Sequence, residues 1–102
     1  FYSLDTYKGF MRQMEGQLPG RTRFLLCSDI RLDPDAFRDF DILTGTGHPV
    51  EDNYALATCD YLIGPPSTYT AWASFYGEVP KCFLTSSTGA IPLNAFVTQH
   101  SV

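Results

Sequence analysis

A chain of 102 residues that is 44% hydrophobic and 15% aromatic suits one small domain with a single core, and excludes both a two-domain architecture and a disordered chain. Its net charge of −4, from 7 basic and 11 acidic residues, argues against a nucleic-acid or anionic-membrane surface, which needs clustered Lys and Arg. No apolar run is long enough to cross a bilayer and no charged-then-apolar leader opens the chain, so a soluble protein is expected, cytoplasmic or peripheral to a membrane.

Leu4, Tyr7, Met11, Met14 and Leu18 recur at spacings of three and four, which predicts a helix after a Ser3 cap, ended by Pro19-Gly20. Gly9 and Gly16 weaken it. Arg23-Phe24-Leu25-Leu26-Cys27 reads as a continuous apolar strand of the kind covered on both faces, with Ser28-Asp29 at its carboxyl edge. Asp33-Pro34 starts a short helix through Phe37 and Phe40, with Asp33 as cap and Pro34 at the first helical position. Asp41-Ile42-Leu43-Thr44 gives a second short strand, Gly45-Thr46-Gly47-His48-Pro49 a loop, and about Val50 to Cys59 a helix. Tyr61-Leu62-Ile63 is a third strand, stopped by Gly64-Pro65-Pro66. Ser67 or Thr68 then caps a helix in which Tyr69, Trp72, Phe75 and Tyr76 share a face and Gly77 is the stop. Val79 to Thr85 supplies a fourth strand, and the tail from Ser86 to Val102 shows only a short helix around Leu93 to Val97. Strands alternating with helices imply an α/β fold, a Rossmann-like three-layer parallel sheet of about four strands with right-handed crossovers, in a single domain over residues 1–102. The chain enters its first helix with no strand before it and stops in an unpatterned tail, as expected of a piece of a larger fold.

In an open parallel sheet, ligands bind beyond the carboxyl ends of the strands, where the strand order reverses. Three polar groups fall there: Ser28-Asp29, Gly45-Thr46-Gly47-His48 and Ser67-Thr68. The first-turn N–H groups behind Ser67 and Thr68 lack intrahelical partners, so this turn is either a phosphate cradle in the positive field of the helix or an ordinary cap; the spacing leaves both open. Tyr69 stands within reach of the same ligand. Asp52, with Glu51, falls in the first turn of its helix, where its carboxylate either stabilises that helix end or accepts two parallel hydrogen bonds from an edge such as guanine's. Asp60, at the far end of that helix, has a structural role. Tyr54, Tyr69, Trp72, Phe75 and Tyr76 could be mistaken for a carbohydrate platform, but at helical spacing most of them are expected in the core. Cys27, Cys59 and Cys82 are odd in number and lack CxxC spacing, which predicts buried reduced thiols. Neither His48 nor His100 has a partner at ligand spacing, so neither a metal site nor a His-based relay is expected.

Phe24 to Asp29, Glu51-Asp52-Asn53-Tyr54-Ala55-Leu56-Ala57-Thr58-Cys59-Asp60, and Ile63 to Gly77 together resemble the carboxyl-terminal half of fucosyltransferases, closest to the alpha-1,2- and alpha-1,6-fucosyltransferase superfamily. The resemblance spans residues 2 to about 85 and is most specific from Asp52 to Gly77. It implies the nucleotide-sugar-binding lobe of a two-lobed, GT-B type glycosyltransferase that uses GDP-fucose, needs no metal and inverts the sugar carbon. Carried over by position, Asp52 reads the guanine, Ser67, Thr68 and Tyr69 contact the diphosphate, and Ser28 and Asp29 line the same crevice. The family's His-x-Arg-Arg motif, whose arginine stabilises the leaving diphosphate, belongs upstream of the first helix and is not in this chain, nor is the lobe that binds the glycan acceptor. The resemblance therefore implies no catalytic residue here and an inactive fragment. The alternative is a non-catalytic nucleotide-binding or interaction domain of the same fold.

Overall fold

The computed structural model describes residues 4–28, 33–84 and 89–100. The first apolar stripe forms helix α1 (Leu4–Gln17), and Phe10, Met11 and Met14 are its buried residues. Strand β1 (Phe24–Leu26) pairs in parallel with β2 (Ile42–Thr44), with Leu25 opposite Leu43. Between them lies a 3-10 turn, Pro34–Phe37, capped by the Asp33 carboxylate, which accepts the Asp35 N–H at 3.0 Å. Helix α2 (Pro49–Leu56), strand β3 (Leu62–Gly64), helix α3 (Thr68–Gly77) and strand β4 (Pro80–Phe83) follow. β4 lies parallel to β3, with Ile63 opposite Cys82. In the tail a short 3-10 turn, Leu93–Ala95, leads into β5 (Val97–Thr98), which adds antiparallel to β4.

The chain is thus a mixed α/β domain, but its strands fall into two ladders, β1-β2 and β3-β4-β5, and not into one parallel sheet of four. Each strand is two to four residues long, too short to carry a ladder across a gap. β1 and β3 face each other over a cleft lined by Phe24, Leu26, Leu62 and Ile63. Helix α1 bridges that seam: Phe10 and Met14 join Leu84, Ile91 and Phe96, with Phe24, Tyr61 and Ile63 packed against them. Met11 packs with Phe37 and Phe40 under Phe24, Leu26 and Ile42. On the opposite face of β3, Leu62 packs with Ala73 and Val79, beside Leu56 and Cys59. Helices therefore cover both faces of the β3-β4 ladder, as the apolar run of β3 requires.

Two glutamines tie the tail to α1. Gln13 donates to the Gly89 carbonyl at 2.9 Å and accepts the Ile91 N–H at 2.8 Å. One turn later, Gln17 donates to the Ile91 carbonyl and accepts the Leu93 N–H, both at 2.9 Å. The primary amide mimics a peptide unit, so an extended segment is satisfied without a strand partner.

Three expectations are corrected. The aromatic residues of α2 and α3 are not core: Tyr54, Tyr69, Trp72, Phe75 and Tyr76 are all exposed. What α3 presents to the sheet is its small residues, Ala71, Ala73 and Ser74, because a helix packed closely on a short ladder has no room for rings. The left-handed residue ending α3 is Glu78, with φ of 54°, and not Gly77. Gly77 is instead the point of closest approach to α2, where an added Cβ would fall 1.9 Å from the Ala57 carbonyl oxygen. The tail forms the Leu93–Ala95 turn, but Val97 belongs to a strand.

Candidate functional site

Ser28 lies two residues beyond β1, the loop of residues 45–48 follows β2, and Ser67 opens α3 just beyond β3, all at the carboxyl edges of parallel strands. At this end the starts of α2 and α3 are fastened side by side. The Tyr69 phenol donates to the Pro49 carbonyl at 2.7 Å, and the Asn53 side-chain amide donates to the Tyr69 carbonyl at 2.8 Å. Pro49 and Asn53 are four apart on α2 and so share the face that meets α3. Burial, with the nearby Cys27 and Asp52, raises the Tyr69 phenol above its ordinary range, so it stays a neutral donor. Sequence reasoning singled out Tyr69 but missed Asn53, although its spacing from Pro49 was visible.

The cap expected at Ser67 is present. Its hydroxyl accepts the Thr70 N–H at 3.2 Å, and its carbonyl accepts the first helical N–H, from Ala71, at 3.1 Å. The amides of Thr68 and Tyr69 precede that first bond and have no acceptor within the helix. Gly64 allows the turn to close: a Cβ there would stand 3.0 Å from the Thr70 hydroxyl.

Asp52 is 4% exposed and committed to its own loop. One carboxylate oxygen accepts the Thr46 N–H at 2.7 Å and the Thr46 hydroxyl at 2.9 Å, and the other accepts the Gly47 N–H at 3.1 Å. The Thr46 backbone bond does most to hold this carboxyl below the usual range; burial opposes it, and the Thr46 hydroxyl, Gly47 N–H and His48 add to it. Gly45 is required beside it, because a Cβ would fall 2.7 Å from a carboxylate oxygen. Three of roughly four acceptor positions are filled, so a guanine edge taking two parallel bonds has to displace at least one loop partner. His48 caps α2, its Nδ1 accepting the Glu51 N–H at 3.4 Å. Asp60 is exposed at the far end of α2.

Between the ladders lies the cleft, of about 1190 Å³, which has Cys27, Ser28, Pro65, Tyr69 and Thr70 along one stretch of its wall. It is largely apolar and large enough for a nucleotide-sized ligand. Ser28 and Tyr69 are thereby brought onto one cavity; Ser67, Thr68 and Asp52 are not among its lining residues. Asp29 lies outside the described residues. The three cysteines are free and half-buried, where full burial was expected. Burial, then the charges of Asp52 and Cys59, pushes the Cys27 thiol from 9.0 to about 11, so it is not a nucleophile at neutral pH. Among the described residues no group of His, Cys, Asp and Glu has the makings of a metal site, and no helix is long and apolar enough to cross a membrane. Arg21 and Arg23 pair with Asp41 at 2.8 and 3.3 Å at the amino-terminal edge of the β1-β2 ladder, and both also line the cleft. Compared with protein-family models, curated proteins and solved structures, the chain matches none.

Proposed function

We propose that the chain is the nucleotide-sugar-binding lobe of a GT-B type fucosyltransferase, a Rossmann-like lobe in which β1 and β3 flank the point where strand order reverses. The intact enzyme moves fucose from GDP-fucose to a glycan acceptor held by a second lobe. The observation that carries this reading is the junction of α2 and α3, where Tyr69 is hydrogen bonded to Pro49 and Asn53 at the carboxyl edge of the strands. Two helix starts are held there in a fixed relation beside a large apolar cleft, an arrangement suited to a ligand with an anionic middle and a flat, partly apolar end. In this reading the Thr68 and Tyr69 amides take the diphosphate behind the Ser67 cap. Asp52 takes the guanine by exchanging the Gly47 N–H for the base edge, and Ser28 and Asp29 line the crevice. The sequence resemblance from Asp52 to Gly77 supports a GDP-sugar donor, with GDP-fucose as the donor of the family it resembles; no residue of this stretch chooses fucose over another GDP-sugar such as GDP-mannose. With no arginine of the His-x-Arg-Arg type in the chain, the lobe binds donor without transferring sugar.

Calorimetric titration of the chain with GDP, ADP and UDP tests the reading. GDP is expected to bind at least about tenfold more tightly than the other two, the difference made by one well-placed bidentate pair. An equal response to all three removes the guanine role of Asp52, and no response to any removes the proposal.

A further inference from the structure

Helix α3 carries no Asp, Glu, Lys or Arg over its ten residues. Its small residues face the sheet and its rings face out, so neither side of it is charged. A helix of that kind is ordinarily covered all round. The outer rings continue onto α2: between ring centroids, Trp72 lies 5.9 Å from Phe75 and 6.4 Å from Tyr76, and Tyr76 lies 5.5 Å from Tyr54. Val50, one turn before Tyr54 on the same face of α2, extends the patch. These five residues are between 38% and 61% exposed. With about 150–250 Å² for a whole aromatic side chain, they leave roughly 450 Å² of contiguous surface open, within the range at which a patch on a monomer is often functional.

Shape and charge select what covers it. The Tyr54 and Tyr76 rings cross at 88° and those of Trp72 and Phe75 at 82°, so the patch is ridged. A sugar stacks on an open flat face, whereas ridges interlock with the side chains of another helix. Neither α2 nor α3 carries a Lys or Arg, which an anionic lipid surface would need. Two copies of a chain with net charge −4 repel wherever acidic surfaces meet, and the uncharged α3 lets them approach without that cost. Most of the patch lies along the later turns of α3, behind the strand edge where the ligand is placed, so the ligand does not cover it.

We propose that this patch is the core of a two-fold interface with a second copy of the chain, in which α2 and α3 of each copy cover those of the other. A two-fold axis uses the same residues twice, so the patch buries about 900 Å² in the pair. A polar rim of a few residues brings that to the roughly 1,000 Å² that a specific interface requires. The composition fits such a core, which is enriched in Trp, Tyr and Phe and depleted of charge. The inference does not depend on the nucleotide reading above.

Trp72 is the chain's single tryptophan, so its emission reports on the patch alone. The chain, without nucleotide, is followed from about 1 µM to several hundred µM by fluorescence and by sedimentation equilibrium. A dimer with a dissociation constant of about 10 µM is expected, together with a blue shift of Trp72 emission along the same concentration curve as the ring loses water. Tyr76→Glu places a charge in the interface core and is expected to weaken the dimer at least about tenfold. Val97→Glu, at a site as exposed but on β5, is expected to leave it unchanged. A chain that stays monomeric throughout overturns the proposal, as does a dimer that forms without movement of the Trp72 emission or that survives Tyr76→Glu. Emission that moves in a monomeric chain on addition of maltohexaose or phosphatidylcholine vesicles overturns it in favour of a sugar or lipid surface. If Tyr76→Glu does not fold by circular dichroism, agreement between the mass and emission curves of the unmodified chain decides alone.

Discussion

Gly77→Ala sets two physical effects against each other with opposite signs. Gly77 is the last residue of α3, and helix propensity alone predicts that alanine there stabilises the protein by up to about 1 kcal/mol. The packing predicts the reverse. The new Cβ would meet the Ala57 carbonyl oxygen at 1.9 Å, its carbon at 2.7 Å and its Cα at 2.9 Å, all backbone atoms that no rotamer change can remove. Restoring an ordinary contact of about 3.5 Å requires α2 and α3 to part by roughly 1 Å or more. Overpacking of this kind costs about 1–3 kcal/mol, which exceeds the propensity gain. At roughly 4–8 °C per kcal/mol for a domain of this size, the midpoint of thermal unfolding by circular dichroism should fall by about 5–15 °C. Gly9→Ala and Gly16→Ala make the same chemical change in α1 where a Cβ meets nothing within 4 Å, and each should raise the midpoint by a few degrees. Because the parted helices also carry Pro49 and Asn53 away from Tyr69, Gly77→Ala should weaken GDP as well. A Gly77→Ala midpoint that rises with those of the two controls would refute the close approach of α2 and α3.

Ser74 is fully buried, donating to the Val79 carbonyl at 2.6 Å and accepting the Gln99 N–H at 3.0 Å. Ser74→Ala removes both of these buried bonds and should cost about 1–3 kcal/mol, with faster amide exchange at Gln99; unchanged exchange there would show that β5 is held by other means. The Asp52 carboxyl is lowered in the folded state from its ordinary 3.8, so its contribution is fully present above that value and is lost as pH falls from it through the lower, folded one. Unfolding midpoints measured across that acid range should fall in the native chain and fall less in Asp52→Asn; parallel curves would mean that the loop bonds at Thr46 and Gly47 carry no ionised acceptor.

Local order was legible where short-range chemistry decides it. The Leu4 to Leu18 stripe, the Asp33-Pro34 start, the Ser67 cap and the apolar runs at 24–26 and 62–63 each name an element within a few residues, because caps, proline and hydrophobic period act over one or two turns. The candidate site was half legible: Ser67 and Tyr69 stand where the strand-turn-helix pattern put them. Asp52 was given two possible partners, guanine and the helix end, and the structure shows a third, its own loop.

Which face of a helix turns inward was not legible for α3. Its rings and its small residues both recur at helical spacing, and periodicity cannot choose between two faces that are each apolar. Only the short distance between α3, its sheet and Ala57 of the preceding segment decides for Ala71, Ala73, Ser74 and Gly77. Nor could sequence tell that Gln13 and Gln17 receive the tail more than seventy residues later, or that β1 and β3 lie across a cleft and not in one ladder. The sequence by itself determined the kinds of element and their order, since those follow from neighbours along the chain. The tertiary structure decided faces, register and the exposure of the aromatic residues, since those follow from contacts between segments that no local pattern encodes.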